Sequence, residues 1–275
     1  RSISEPLMII ACGNIIAEYC CITEMAKKAD RHEVVNIRDE NGKSTWPAKN
    51  TEEMIERVLS LISFDARQKE YFNNPMRRGK TFTAVQYGRA PLLRTWEMVV
   101  VYADPSTSNK DRPRIRGKAQ QSFKSVQVIG FKNHRYYVYW IRLDQVGNRI
   151  FVDWLYQAHE YCKRAGVDPI TMYIENNTLQ APHYEQVIQP AIKIKAESDC
   201  IDMIPLREDS RGKPDKYERI EGTLQPIDER GDLVFDDRLK DTPAMEVMER
   251  QMLSVSPNQK MMDGPDCLEG AVWII

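Results

Sequence analysis

Residues 97–109 read EMVVVYADPSTSN. An uninterrupted apolar run, Met98 to Ala103, stops on a carboxylate, Asp104, and a Pro with small polar residues follows. Such a run is the pattern of a strand covered on both faces, as in an α/β sheet. A charge at its end has two readings. Asp before Pro-Ser is an ordinary turn residue, or it is a rigidly placed ligand.

Working outward, SVQVIGFK (125–132) and RYYVYWIRLD (135–144) are strands split by Asn133-His134, hence a hairpin. NRIFVDWLYQAHEYCKR has helical spacing and closes on Gly166. PITMYIENN (169–177) is another apolar strand, and it too ends on a carboxylate, Glu175. A helix is expected around 184–191, a strand at CIDMIPL (200–206), a short charged helix at KPDKYERIEG, a strand at DLVFDD and a helix at PAMEVMERQMLSV. In the terminal DGPDCLEGAVWII, Pro265 suits a first helical turn, and Leu268, Ala271, Val272 and Ile275 form one stripe. Three strands, a helix, a strand, a helix, a strand and further helices make the order of a mixed sheet in an α/β domain. Ribonuclease H-like domains have that order. The expectation is a ribonuclease H-like five-stranded sheet flanked by helices over residues 86–275.

Residues 1–85 read as a smaller α/β fragment and linker. PLMIIACGN is expected to be a strand, IIAEYCCITEMAKKA a helix, and EVVNIRDENGKSTWP a strand with an Asn-Gly turn. TEEMIERVLSLIS is a helix capped by Thr51. The opening reads as a chain cut from something longer, because a core strand stands there with almost nothing before it.

Composition narrows the class. With 275 residues, 42% hydrophobic and 29% charged, the chain is an ordinary globular length and mixture. A net charge of −1 excludes a uniformly basic nucleic-acid coat and leaves only a local patch. Six scattered Cys contain no C-x-x-C pair, so neither a zinc site nor a disulfide framework is signalled, and a reducing cytoplasm fits. No apolar run has the length of a membrane span.

The chemistry lies in the acids. Asp104 and Glu175 end two strands, and if those strands are neighbours both carboxylates emerge at one edge. Asp263 and Asp266 are three apart at a helix start and can share a face. Grouped carboxylates repel unless cations sit among them. Hard oxygen ligands favour Mg²⁺ or Mn²⁺, and two such ions about 3.5–4 Å apart can hydrolyse a phosphodiester. Taken singly, each acid is equally a turn or cap residue. Around them, Lys110, Arg112, Arg114, Arg116 and Lys118 form a basic segment suited to phosphates, and Lys213, Lys216 and Arg219 are a second candidate DNA-facing set. Both sets are also readable as solvated faces. His183 and Asn176 are candidates for a supporting role near the second acidic strand, while His134 and His159 read as surface or structural.

VYADPS (101–106), MYIENN (172–177) and DGPDCLEGA (263–271), in this order, resemble the three acidic motifs of the nuclease domain of phage large terminases. KYERIEG (216–222) resembles a segment common there. ACGN (11–14), STWPAKNTEEMIERV (44–58) and FDARQKEYFNNP (64–75) resemble the end of the packaging ATPase that precedes that nuclease. The resemblance implies a two-metal endonuclease using Asp104, Glu175 and Asp263, Asp266 or both. Its substrate would be double-stranded concatemers of viral DNA. Its partners would be the portal, a small terminase subunit and other large-subunit copies, in the cytoplasm of an infected bacterium at the procapsid portal. Met262 stands where the third motif often has a first Asp, and Cys267 where it has Ala. No G-x-x-x-x-G-K-[ST] loop occurs, and the Gly-Lys-Thr at 79–81 lacks its first Gly, so ATP hydrolysis is not expected of this chain. Two rivals stand beside this reading: a transposase- or resolvase-type strand-transfer enzyme of the same fold, and a non-catalytic DNA-gripping module of a packaging motor.

Overall fold

The computed structural model describes residues 9–16, 20–62, 64–74, 81–95, 97–106, 122–176, 184–213, 215–259 and 261–275. It divides into two compact units, Arg1–Arg77 and Arg78–Ile275.

Among its described residues the first unit has three short helices, α1 (Cys21–Ala26), α2 (Glu52–Ser60) and α3 (Phe64–Glu70). Thr51 caps α2 as its sequence requires, its hydroxyl accepting from the Met54 amide at 3.3 Å. The expected strands are not found among the described residues of this unit. Residues 9–16 are irregular, with Ile9 and Ile10 exposed, and the Asn-Gly turn closes only an isolated bridge between Arg38 and Ser44. An apolar run becomes a strand only where a neighbour completes its ladder of hydrogen bonds, and no such neighbour stands beside 9–16 among the described residues.

The second unit is built on one mixed sheet. Its strands are β1 (Tyr87–Gly88), β2 (Met98–Asp104), β3 (Lys124–Lys132), β4 (Arg135–Asp144), β5 (Thr171–Glu175), β6 (Leu206–Asp209) and β7 (Leu233–Asp236). They lie in the order β1-β7-β4-β3-β2-β5-β6. The segment β4-β3-β2-β5-β6 is the ribonuclease H-like arrangement: β3 is antiparallel to both β2 and β4, while β5 and β6 run parallel to β2. The hairpin turns through Asn133 and His134 at positive φ, the pair a tight two-residue loop needs. Two differences from expectation stand out. The sheet has seven strands rather than five, because β7 pairs parallel with β4 and β1 with β7. The sixth strand is Leu206–Asp209, not 200–206, because the ladder with β5 runs from Met172–Leu206 to Glu175–Asp209.

Helices α4 (Asn148–Arg164) and α5 (Gln189–Asp199), the latter led in by a π turn at Tyr184–Ile188, supply one face. Helices α6 (Lys216–Glu229), α7 (Pro243–Leu253) and α8 (Asp263–Ile274) supply the other. The twofold alternation of strand side chains assigns the layers. Val99, Val101 and Ala103 of β2 and Met172 and Ile174 of β5 pack with Phe151, Leu155 and Ala158 of α4. Val100 and Tyr102 pack with Ile220, Met248, Leu268 and Ala271 of the opposite helices. Each fully buried aliphatic side chain contributes about 1.5–3 kcal/mol. The register is therefore firmly set, since a one-residue slip would exchange the two faces.

Candidate metal centre

The same alternation aims the acids. Asp104 follows Tyr102 by two, and Glu175 follows Tyr173 by two, so both point to the α8 face. In the parallel ladder Ala103 faces Ile174, which puts Asp104 and Glu175 one step further along, side by side where the strands end. From above, α8 brings Asp266. One carboxylate oxygen each from Asp104, Glu175 and Asp266 lie within 4.8 Å of one another, and all three residues are buried.

Buried charges this close must be compensated. Burial and the neighbouring charges of Glu175 and Asp266 push the Asp104 carboxyl well above the usual carboxylate range. Burial also opposes ionisation of Asp266, but Lys216 and Arg219 outweigh it and hold that carboxyl low. Lys216 Nζ lies 2.7 Å from Asp263 Oδ1 and 3.0 Å from Asp266 Oδ2. Arg219 bridges Asp266 and Glu269, the latter at 2.6 Å, and Arg211 reaches Glu269 at 2.9 Å. Lys213 pairs with Glu175 at 2.7 Å. Lys213, Lys216 and Arg219 are thus engaged with the acids themselves.

Asp263 has a different setting from the three grouped acids. It is the first residue of α8, and its carboxylate accepts from the Phe123 amide at 2.8 Å as well as from Lys216. Asp104 makes the turn contact expected of it and also stands in the cluster. Its Oδ1 accepts from the Ser106 amide at 3.1 Å, fixing the turn, while the carboxyl group stays within the cluster. Asn176 is buried, donating to Glu208 at 2.7 Å and tying the ends of β5 and β6. His134 is exposed and His159 half-buried. The basic segment with Lys110, Arg112, Arg114, Arg116 and Lys118 lies outside the described residues, as does His183.

Several residues of the site were not singled out from the sequence. Lys124 is fully buried and donates to the carbonyls of Pro105 and Ser106, at 2.6 Å for the latter, clamping the turn after Asp104. Asp209 accepts from the Tyr102 hydroxyl at 2.6 Å, and Lys213 donates to the same hydroxyl at 3.2 Å. Glu269 carries the two arginines. Its signal was its spacing, three residues after Asp266 on one helix face. Asp209 was hidden by the displaced strand, for it is another carboxylate at a strand end.

The donor set suits a hard divalent cation. Three buried carboxylates offer only oxygen, held on two paired strands and a packed helix, and their mutual repulsion rewards positive charge between them. The two buried thiols stand apart from such chemistry. Cys267 is raised well above its ordinary value by burial, and Cys162 is pushed up to about 12 by burial.

No protein-family model matches the sequence, and no curated protein matches it. Solved structures that resemble this chain include large terminases and terminase nuclease domains. The human cytomegalovirus terminase nuclease domain is 16% identical with a TM-score of 0.44, the match covering 64% of this chain and 82% of that one. The nuclease domain of the bacteriophage SPP1 large terminase g2p, with bound Mn, is 12% identical with a TM-score of 0.42, over 70% and 97%. The large terminase of a thermophilic bacteriophage is 11% identical with a TM-score of 0.39, over 80% and 50%, so this chain spans half its length. These likenesses are distant. No helix among the described residues is long and apolar enough to cross a membrane.

Proposed function

We propose that this protein is a metal-dependent endonuclease that cuts double-stranded viral DNA concatemers during genome packaging. The observation that carries the reading is the meeting of Asp104, Glu175 and Asp266 in one buried cluster. Asp104, Glu175 and Asp266 would hold Mg²⁺ or Mn²⁺, two ions in the reading argued from the sequence, with Asp263 beside them through Lys216. Bound there, the ions would supply Lewis-acid activation of water and of the phosphodiester.

The chain's own residues prepare that chemistry. The β2–β5 ladder fixes the backbone positions of two carboxylates, so the strands need not move when charge arrives. Lys124 holds the turn that aims Asp104. Arg219, locked between Asp266 and Glu269, fixes the rotamer of the third carboxylate. The basic segment 109–118 follows Asp104 directly in sequence and would take phosphates without reading bases, so cleavage would have low sequence specificity. In the whole assembly the partners would be the portal, a small terminase subunit and further large-subunit copies, at the procapsid in the infected cell. The boundary between an ATPase remnant and the nuclease would fall between residues 77 and 86.

A plasmid-cleavage assay in Mn²⁺ tests the reading. Wild type nicks and linearises the plasmid. Asp104→Asn and Glu175→Gln lose at least about 10²-fold of the rate while keeping the wild-type circular dichroism spectrum. Mn²⁺-dependent cleavage by Asp104→Asn at the wild-type rate refutes it. A wild-type protein that binds DNA but shows no saturable Mn²⁺ binding is instead a DNA-gripping module.

A further inference from the structure

The acidic cluster carries its own cations, and two of them stand on oxygens that a metal would need. Lys213 Nζ is 2.7 Å from Glu175 Oε2, and Lys216 Nζ is 3.0 Å from Asp266 Oδ2. An ammonium approaches a carboxylate oxygen at about 2.7–2.9 Å, whereas Mg²⁺ sits at about 2.0–2.1 Å. Both cannot hold one oxygen face, and a dication and an ammonium a few ångströms apart repel strongly in a buried site.

The cations differ in how firmly they are held. Arg219 is bound at both ends by Asp266 and Glu269, and its planar fork suits that bridge. Lys213 and Lys216 are point charges on flexible stems. Lys213 precedes α6 in an irregular segment; its side chain is only 7% exposed and donates to the Tyr102 hydroxyl at 3.2 Å, so its departure needs that segment to shift. Lys216 is the first residue of α6, and its side chain is 29% exposed, which gives it a way out to solvent. Asp263, which holds its other contact, lies outside the group of three.

We propose that Lys213 and Lys216 are resident counter-ions that set the affinity of the cluster for divalent cations, each ammonium leaving Glu175 or Asp266 as an ion enters. The inference rests on the reading of the cluster as a metal site and adds to it which residues tune loading. It separates these lysines from simple phosphate contacts: their loss strengthens ion binding, whereas loss of a phosphate contact leaves ion binding without DNA unchanged.

The test is calorimetric titration of the full chain with MnCl₂, without DNA, for wild type, Lys213→Met, Lys216→Met and Asp104→Asn. Either lysine variant binds Mn²⁺ about tenfold or more tightly than wild type, and its melting temperature rises more on adding Mn²⁺. Affinity equal to or below wild type in both lysine variants, with Asp104→Asn deficient, overturns the inference and leaves the metal site standing. Binding that is identical in wild type and Asp104→Asn overturns the metal-site reading and the inference with it. Loss of a lysine leaves acids uncompensated, so a variant that fails to fold in chelator regains its circular dichroism signal in Mn²⁺. A variant that Mn²⁺ does not restore counts against the proposal.

Discussion

Asp104 closes its turn through the Ser106 amide while standing in a buried acidic cluster, and its protonation exposes the electrostatics of that cluster. Burial, then Glu175 and Asp266, hold its carboxyl well above the ordinary value of 3.8. The folded state therefore binds this proton more tightly than the unfolded state does. Its contribution to stability is fully present below about pH 4 and is lost as pH rises through the folded value. In chelator, Asp104→Asn, which cannot ionise, should gain stability relative to wild type as pH is raised from 4 to 8. Urea midpoints across that range check it, and a difference that shrinks with rising pH contradicts the assignment. At this scale the sequence was informative but ambiguous. The two strand-end acids were legible because an apolar run that stops on a charge is visible in one dimension. Which helix acid joins them was not, since Asp263 and Asp266 share a turn and Lys216 touches both; the Phe123 amide on Asp263 and Arg219 on Asp266 set them apart.

Among the elements, α8 is closely confined, and its distance from β2 decides where Asp266 stands. Gly270 lies against the Tyr102 ring so closely that a Cβ there would meet ring carbons at 2.4 Å. The ring cannot yield, being buried and hydrogen-bonded through its hydroxyl to Asp209. The helix start is pinned as well: Gln127 donates to the Gly264 carbonyl at 2.9 Å, and the Gly264 amide donates to Gln251 at 2.7 Å. Gly270→Ala should therefore push α8 outward, costing about 1–3 kcal/mol as overpacked cores do. Mn²⁺ affinity should fall in parallel, although residue 270 touches no carboxylate of the group. Thermal melts and Mn²⁺ titration check this, and an unshifted melting temperature would show that the contact relaxes freely. The sequence displayed α8 through its apolar stripe but held no sign of this approach, which depends on a ring far earlier in the chain. β6 was misread for a related reason: CIDMIPL is the more apolar run, yet pairing with β5 selects LRED, since a ladder follows its neighbour's register and not local hydrophobicity alone.

Over the whole molecule, the residues that hold the acids all belong to the second compact unit, Arg78–Ile275, and so do both of its hydrophobic clusters. A sequence reading puts the boundary near residue 85, where a basic irregular link gives way to strands. Phe82, on the N-terminal side of that boundary, is 2% exposed and packs in the cluster beneath α6, α7 and α8. Composition marks a linker by what surrounds it, and a single aromatic among polar residues is invisible to that measure. The two boundaries make different fragments. A chain beginning at residue 78 keeps Phe82 and should fold alone, bind Mn²⁺ with wild-type affinity and unfold in one cooperative step. A chain beginning at residue 86 loses a fully buried aromatic, at a cost of about 3–5 kcal/mol by analogy with core truncations, and keeps α8 on a cluster with a cavity. It should melt lower by several degrees or more and be cut sooner by protease, while Phe82→Ala in the longer fragment should reproduce most of the loss. Equal stability of the two fragments would mean that the cluster closes over the gap, and that the functional unit begins at the strands.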